Sequence, residues 1–284
     1  MIEKAKKLFF VSRPVSWPNT AYPFAAGYLV SGGSVDAMFI IATLYFLGPY
    51  NLLMYGVNDV FDYESDIRNP RKGGIEGMKE QKSLHPTILK AVVLTNVPFI
   101  AAILLLGTPV SAVVFACVLF LVIAYSLKGL RFKERPLLDS VTSSLHFVGP
   151  LLFALSLTGF NRAAWPYVTA FFFWGIASHA FGAVQDIIPD RQGKLASIAT
   201  FFGAKWTMRF AFMLYVIAAT LIITQPMPYT IVGVLGLLYA ANIARYLDIS
   251  DKQSGRANAP WRRFIYINLF VGFVITMVLL ASFL

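Results

Sequence analysis

The sequence predicts an all-α, polytopic membrane protein of nine transmembrane helices, and three observations carry that prediction. Apolar residues make up 57% of the 284 residues and charged residues only 13%, a balance outside the range of a water-soluble domain. Apolar runs of near-spanning length recur along the whole chain between polar or Pro/Gly stops. When these runs are threaded through a membrane from a cytoplasmic N-terminus, 23 of the 24 Lys and Arg residues fall on one side, Arg162 being the exception. The positive-inside rule then sets the N-terminus and the loops after spans two, four, six and eight in the cytoplasm. The net charge of +10 is accounted for by this asymmetry, so no nucleic-acid partner is expected.

In chain order, the first run (19–31) comes after Lys4, Lys6 and Lys7, which lead into Arg13-Pro14 rather than into a cleavable signal. It reads as its own uncleaved insertion signal. The second (37–57) ends in the acidic string Asn58-Asp59-Val60-Phe61-Asp62-Tyr63-Glu64-Ser65-Asp66 and the longest polar stretch, 66–87. Loops of that length usually carry function. Runs 88–106 and 110–127 come next; Cys117, the single cysteine, lies in the latter. It excludes an intrachain disulfide or a cysteine metal cluster and reads as a small core residue. The fifth and sixth runs are 138–157 and 165–184, the sixth leading into Asp186-Ile187-Ile188-Pro189-Asp190. The remaining three are 208–224, 229–246 and 264–283. The chain reads as one membrane domain, 1–284, with two weakly related halves, 1–137 and 138–284. In each half a span ends in carboxylates followed by basic residues and glycine, Arg71-Lys72-Gly73-Gly74 and Arg191-Gln192-Gly193-Lys194.

The two acidic runs carry the chemistry. Asp59, Asp62 and Asp66 are spaced i, i+3, i+7, and Asp186 and Asp190 are spaced i, i+4, so on helices each set projects from one side. Carboxylates this close to one another and to hydrocarbon repel unless a cation neutralises them. Magnesium shares its octahedron between one or two carboxylates, waters and substrate phosphates, so the missing ligands are expected to arrive with a phosphorylated substrate. A solvated helix end explains one such run; two on the same face, each with a basic follow-on, point to a site. Asn58 is a further ligand or an orienting amide.

Arg68, Arg71, Lys72, Lys128, Arg131, Arg191 and Lys194 lie in loops on the acidic face. Singly they satisfy the positive-inside rule; together they suit a diphosphate, to which Lys and Arg donate charge-assisted hydrogen bonds. Tyr125-Ser126 can add hydroxyls. His85, His146 and His179 share no metal-binding spacing. His179 precedes Asp186 by seven residues, on roughly its face and two turns deeper, and reads as a buried polar packing residue. A transporter is the non-enzymatic rival, but its ionisable residues belong near the midplane rather than at the boundary. A CDP-alcohol phosphotransferase is expected to carry D-G-x-x-A-R, which is absent here.

With N-D-x-x-D-x-x-x-D at 58–66, D-x-x-x-D at 186–190 and nine spans, nearly the whole chain resembles the UbiA superfamily of intramembrane prenyltransferases. The resemblance implies a UbiA-type bundle with cytoplasmic cap loops. It also implies two Mg2+ ions held by Asn58, Asp59, Asp62, Asp66, Asp186 and Asp190, gripping an isoprenyl diphosphate. Position 183 is Ala183, so the second motif is the leaner form. The strings Arg13-Pro14-Val15-Ser16-Trp17, Tyr55 to Gly74 and Arg131-Phe132-Lys133-Glu134-Arg135-Pro136 resemble the bacterial lycopene elongases of that superfamily. This likeness implies dimethylallyl diphosphate as donor and lycopene as acceptor, giving C45 and C50 carotenoids. Asp59, Asp62, Asp186 and Asp190 would be catalytic. Arg13, Arg68, Lys72, Tyr125, Ser126, Lys128, Arg131, Arg191 and Lys194 would bind the diphosphate. The expected location is the plasma (cell inner) membrane, with the site opening to the cytoplasm; association with other carotenoid biosynthesis proteins is left open. An aromatic or quinone prenyltransferase is the rival within the class.

Overall fold

A computed structural model describes residues 2–63, 67 and 82–283, and the described residues are helical or lie in turns and short connections. Twelve α-helices succeed one another among them: α1 Ile2–Val11, α2 Pro18–Val30, α3 Ala37–Leu47, α4 Pro49–Phe61, α5 His85–Leu106, α6 Pro109–Ser126, α7 Leu138–Thr158, α8 Trp165–Val184, α9 Ile187–Gln192, α10 Ile198–Ile223, α11 Tyr229–Ile243 and α12 Asn258–Phe283. Every expected span coincides with one of these helices or, for 37–57, with a pair. Among the described residues, seven stretches are long and apolar enough to cross a membrane. The other two expected spans, α2 with 13 residues and α11 with 15, are shorter than the roughly 20 residues that a ~30 Å hydrocarbon layer takes. The chain is a multi-pass membrane protein. Its outward faces are correspondingly apolar, with Leu94 at 62% and Leu105 at 86% exposure.

The expected span 37–57 is broken at Gly48-Pro49, because Pro49 brings no N–H and its ring disfavours a continuous helix. In hydrocarbon the freed carbonyls need other donors. Asn51 Nδ2 supplies them, donating to Phe46 O at 2.8 Å and Leu47 O at 3.2 Å, and Thr20 Oγ1 also donates to Phe46 O at 2.7 Å. Helix starts are set locally. Thr108 and Ser111 form a capping box for α6, and Ser197 and Thr200 form one for α10. Asp36 caps α3 by accepting from Phe39 N at 2.8 Å, and that backbone hydrogen bond holds its carboxyl below the usual range.

Two expected boundaries moved. Helix α10 begins ten residues before 208, because the stretch around Lys205 that was expected to be a loop is helical, with Lys205 and Arg209 along its outer side and both paired to Asp248, at 3.0 and 2.7 Å. Helix α12 begins at Asn258, with Pro260 tolerated in a first turn whose N–H groups have no intrahelical partner. Cys117 is exposed on α6 rather than buried, so the expectation of a core role was wrong: its helix turns that side outward.

The described chain forms two compact units: 1–132 with 145–161, and 133–144 with 162–284. The first is built on a cluster of aromatics in mostly edge-to-face or tilted contact, Phe24, Tyr45, Phe46, Tyr50, Phe115 and Phe153 all being buried. The second packs α8, α10, α11 and α12 around Phe181, Tyr215, Tyr239 and Phe264.

Candidate active site

In the first unit the carboxylates sit where α4 ends. Asp59 is in its last turn and Asp62 is its C-cap, with Asp62 N donating to Asn58 O at 2.9 Å. The helical backbone thus carries through both residues and stacks them one turn apart. Both are buried, at 7% and 3% exposure, and each meets an arginine far away in sequence. Arg13 donates to Asp59 Oδ1 at 2.8 Å while its guanidinium lies 4.2 Å above the Tyr55 ring. Arg131 donates to Asp62 Oδ1 and to Phe61 O, both at 3.3 Å. Asn58 Nδ2 donates to buried Ser126 Oγ at 3.0 Å, which leaves the amide oxygen as the end able to ligate a cation. Tyr125 packs its ring edge-on to His146, with centroids 5.0 Å apart, and Lys128 is exposed on the following turn. Asp66, Arg68 and Lys72 lie outside the described residues.

In the second unit Asp186 is the N-cap of α9, and Asp190 N donates to Asp186 O at 2.8 Å, so these two carboxylates also lie one helical turn apart. Arg191 is exposed and engaged: it donates to Asp251 Oδ2 at 2.7 Å and to Thr200 O at 3.0 Å. Asp251 Oδ1 accepts from Ala204 N at 2.7 Å. There the chain resumes its helix after Gly203, whose φ of +78° a Cβ would strain. Lys194 is exposed. Arg13, Arg131 and Lys194, with φ of 51°, 44° and 57°, make up three of the four described non-glycine residues in the left-handed region. Such conformations persist where the surroundings over-determine them, which is common at ligand clamps.

All these donors are hard oxygens, which suits Mg2+. Among the described residues no three His, Cys, Asp or Glu side chains gather into a preformed metal cage. Two stacked carboxylates and an amide in the first unit, and two carboxylates in the second, match an ion that completes its shell with water and substrate oxygens.

A sequence model of the UbiA prenyltransferase family matches residues 20–282. The chain belongs to that family. It is therefore a prenyltransferase. It is 46% identical over 283 residues, 99% of each chain, to a Corynebacterium glutamicum protein described as lycopene elongase/hydratase. It is also 46% identical to the Dietzia C(50) beta-cyclic carotenoids biosynthesis protein LbtBC, covering 97% of this chain and 64% of that longer one. Among solved structures, a UbiA homolog from Archaeoglobus fulgidus bound to DMAPP and Mg2+ superposes with a TM-score of 0.67 at 18% identity, covering 93% of this chain and 98% of that one. That likeness establishes the fold.

One group escaped the sequence reading. Asp139, Ser140 and His179 are joined by hydrogen bonds inside the second unit. The signal was present, since Asp139 is a carboxylate just inside an expected apolar span, where a charge is costly unless it serves a purpose.

Proposed function

We propose that this family member transfers a dimethylallyl group from its diphosphate to the ends of lycopene, forming C45 and C50 carotenoids with Mg2+ as cofactor. The observation that carries the reading is the full-length, 46% likeness to the Corynebacterium lycopene elongase/hydratase. The donor and the ion are supported by the Archaeoglobus homolog bound to DMAPP and Mg2+ and by the oxygen donors at each acidic motif. The charge asymmetry of the loops supports a site on the cytoplasmic side of the plasma membrane.

Asn58, Asp59 and Asp62 hold one ion, with Asp66 in the same motif, and Asp186 and Asp190 hold a second. Bound there, Mg2+ supplies neutralisation of the charge that builds on the diphosphate as the allylic C–O bond ionises. Arg13 and Arg131 exchange a carboxylate for phosphate oxygens and stabilise the same leaving group. Lys128, Arg191 and Lys194, with Arg68 and Lys72 of the long polar stretch of sequence, add positive charge around it, and Tyr125 and Ser126 add hydroxyls. The leaving group departs with the bonding electron pair, and the terminal double bond of lycopene attacks the dimethylallyl cation. An acyclic carotene has no hydroxyl to deprotonate, so this attack takes no general base.

Membranes containing the protein, incubated with lycopene, dimethylallyl diphosphate and Mg2+, are expected to yield masses of C45 and C50 carotenoids that vanish with EDTA. Diphosphate release on an aromatic acceptor with no new carotenoid would move the assignment to the quinone-type branch. Arg131→Ala is expected to raise KM for the diphosphate about ten- to a hundredfold, because one hydrogen bond to a charged group contributes roughly 1.5–3 kcal/mol. A diphosphate titration with an unchanged KM would remove Arg131 from the substrate site.

A further inference from the structure

We propose that the turn between α11 and α12 is a clasp that aims the second pair of metal-binding carboxylates, with Asp251 and Asn258 as positioning residues for Asp190 and Asp186. The inference rests on the proposed function, which gives that pair a metal ion.

The two acidic motifs are built differently. Asp59 and Asp62 end α4, a helix of 13 residues, so the packing of the whole helix fixes the direction of its last turn. Asp186 and Asp190 belong to α9, a helix of six residues. So short a helix does not stand by itself, because nucleation is unfavourable and only a few hydrogen bonds offset it. Those bonds are local: Asp190 N donates to Asp186 O, Gly193 N to Pro189 O and Leu195 N to Asp190 O, at 2.8, 2.9 and 2.8 Å. They set the spacing of the two carboxylates but not the direction in which the pair points. That direction needs contacts from outside the motif.

The contacts come from one segment. After α11 the chain makes a short helical turn over Asp251–Ala257 and enters α12 at Asn258. Ser254 and Ala257 of the turn are wholly buried, which seats it in the second unit against α8, α9 and α10. Each end of the turn reaches one end of the motif. Asn258 Nδ2 donates to Oε1 of buried Gln185 at 2.9 Å, and Gln185 is the residue before Asp186. Asp251 Oδ2 accepts from Arg191 Nη1 at 2.7 Å, and Arg191 is the residue after Asp190. The carboxylates thus lie between two held neighbours, whose partners are 73 and 60 residues away in sequence.

The Arg191 contact is a fork. Its Nη2 donates to Thr200 O at 3.0 Å while Nη1 meets Asp251, and Asp251 Oδ1 is itself fixed by Ala204 N at 2.7 Å. A planar guanidinium held through two nitrogens has its orientation set as well as its place; a lysine ammonium is a point charge on a flexible stem and sets neither. Thr200 and Ala204 lie on either side of Gly203, where a Cβ would come 3.0 Å from Asp251 Oδ1. The close approach of Asp251 to the α10 backbone therefore uses the glycine. Side-chain exposures of 46% for Arg191 and 37% for Asp251 make this a pair that contributes little to global stability. Its effect is on position, and groups that orient metal ligands change metal affinity by about 10–100-fold.

The test uses the whole protein in detergent, with Mg2+ and inorganic diphosphate as probes and the melting temperature as readout. Wild type, Arg191→Lys, Asp251→Asn and the double variant are melted in EDTA and across a Mg2+ titration at fixed diphosphate. In EDTA all four are expected to melt alike. The Mg2+ concentration for half-maximal stabilisation is expected to rise about tenfold in each single variant and no further in the double variant, because both substitutions break the same contact. Arg191→Lys keeps the positive charge, so an unchanged Mg2+ midpoint in that variant would show that charge rather than the fork matters and would overturn the clasp. Asn258→Ala releases the other end and is also expected to raise the midpoint; it decides the matter if Asp251→Asn fails to fold. A lower melting temperature in EDTA with an unchanged Mg2+ midpoint makes these contacts purely structural, which likewise overturns the inference. A wild-type protein whose melting ignores Mg2+ and diphosphate sinks the metal site of the proposed function, and the clasp with it.

Discussion

Asp59→Ala and Asp62→Ala are each expected to reduce prenyl transfer by about a thousandfold or more while the protein still folds. The catalytic loss comes from the metal. Charge neutralisation by a bound cation contributes several kcal/mol to a transition state of this kind, and each 1.36 kcal/mol is a factor of about ten in rate. Some stability is lost as well, because both pairs are largely buried, Asp59 and Asp62 at 5% and 3% side-chain exposure and Arg13 and Arg131 at 16% and 22%, and removing one partner of a buried pair leaves a charge to be resolvated. Rates of Mg2+-dependent diphosphate release, set beside thermal unfolding in detergent, separate the two effects. Variants that keep more than a tenth of wild-type activity would remove these carboxylates from the metal site.

Gly233→Ala is expected to be the most destabilising of the glycine replacements in helices, lowering stability by about 1–3 kcal/mol. Helices α10 and α11 approach so closely at this point that an added Cβ meets the backbone N of Ile223 and lies 2.8 Å from the Ile222 carbonyl carbon. Small residues permit such an approach between membrane helices, and backbone, unlike a side-chain tip, cannot swing aside. Gly272 on α12 is the control, since nothing lies within 4 Å of its would-be Cβ. There alanine should be neutral or slightly stabilising, as glycine is the poorer helix former. Equal melting temperatures for the two variants in detergent would show that the α10–α11 contact is looser than described.

Much of the site was legible because it is local. The spacing of Asp59 and Asp62, and of Asp186 and Asp190, needs only helical backbone to become two one-turn pairs, and hydrogen bonds from Asp62 N to Asn58 O and from Asp190 N to Asp186 O supply that backbone. The positions of the spans were legible too, because the bilayer demands long apolar runs and the loops between them keep their charges. Boundaries were less so. Lys205 read as a loop residue, yet a helix can carry cations on its outer side, where Lys205 and Arg209 both pair with Asp248. Cys117 read as core, although sequence does not say which side of a lipid-facing helix turns inward.

The sequence by itself determined that the chain is helical, that it crosses the membrane many times and that its carboxylates gather at the ends of two helices, since periodicity and charge act over a few residues. Tertiary structure alone decided which arginine meets which aspartate. The Arg13–Asp59 pair spans 46 residues and the Arg131–Asp62 pair 69, distances over which no local pattern operates. It alone also joined Asp139, Ser140 and His179, because a carboxylate in an apolar helix must find its hydrogen-bond donors wherever packing brings them, and packing is a property of the folded chain.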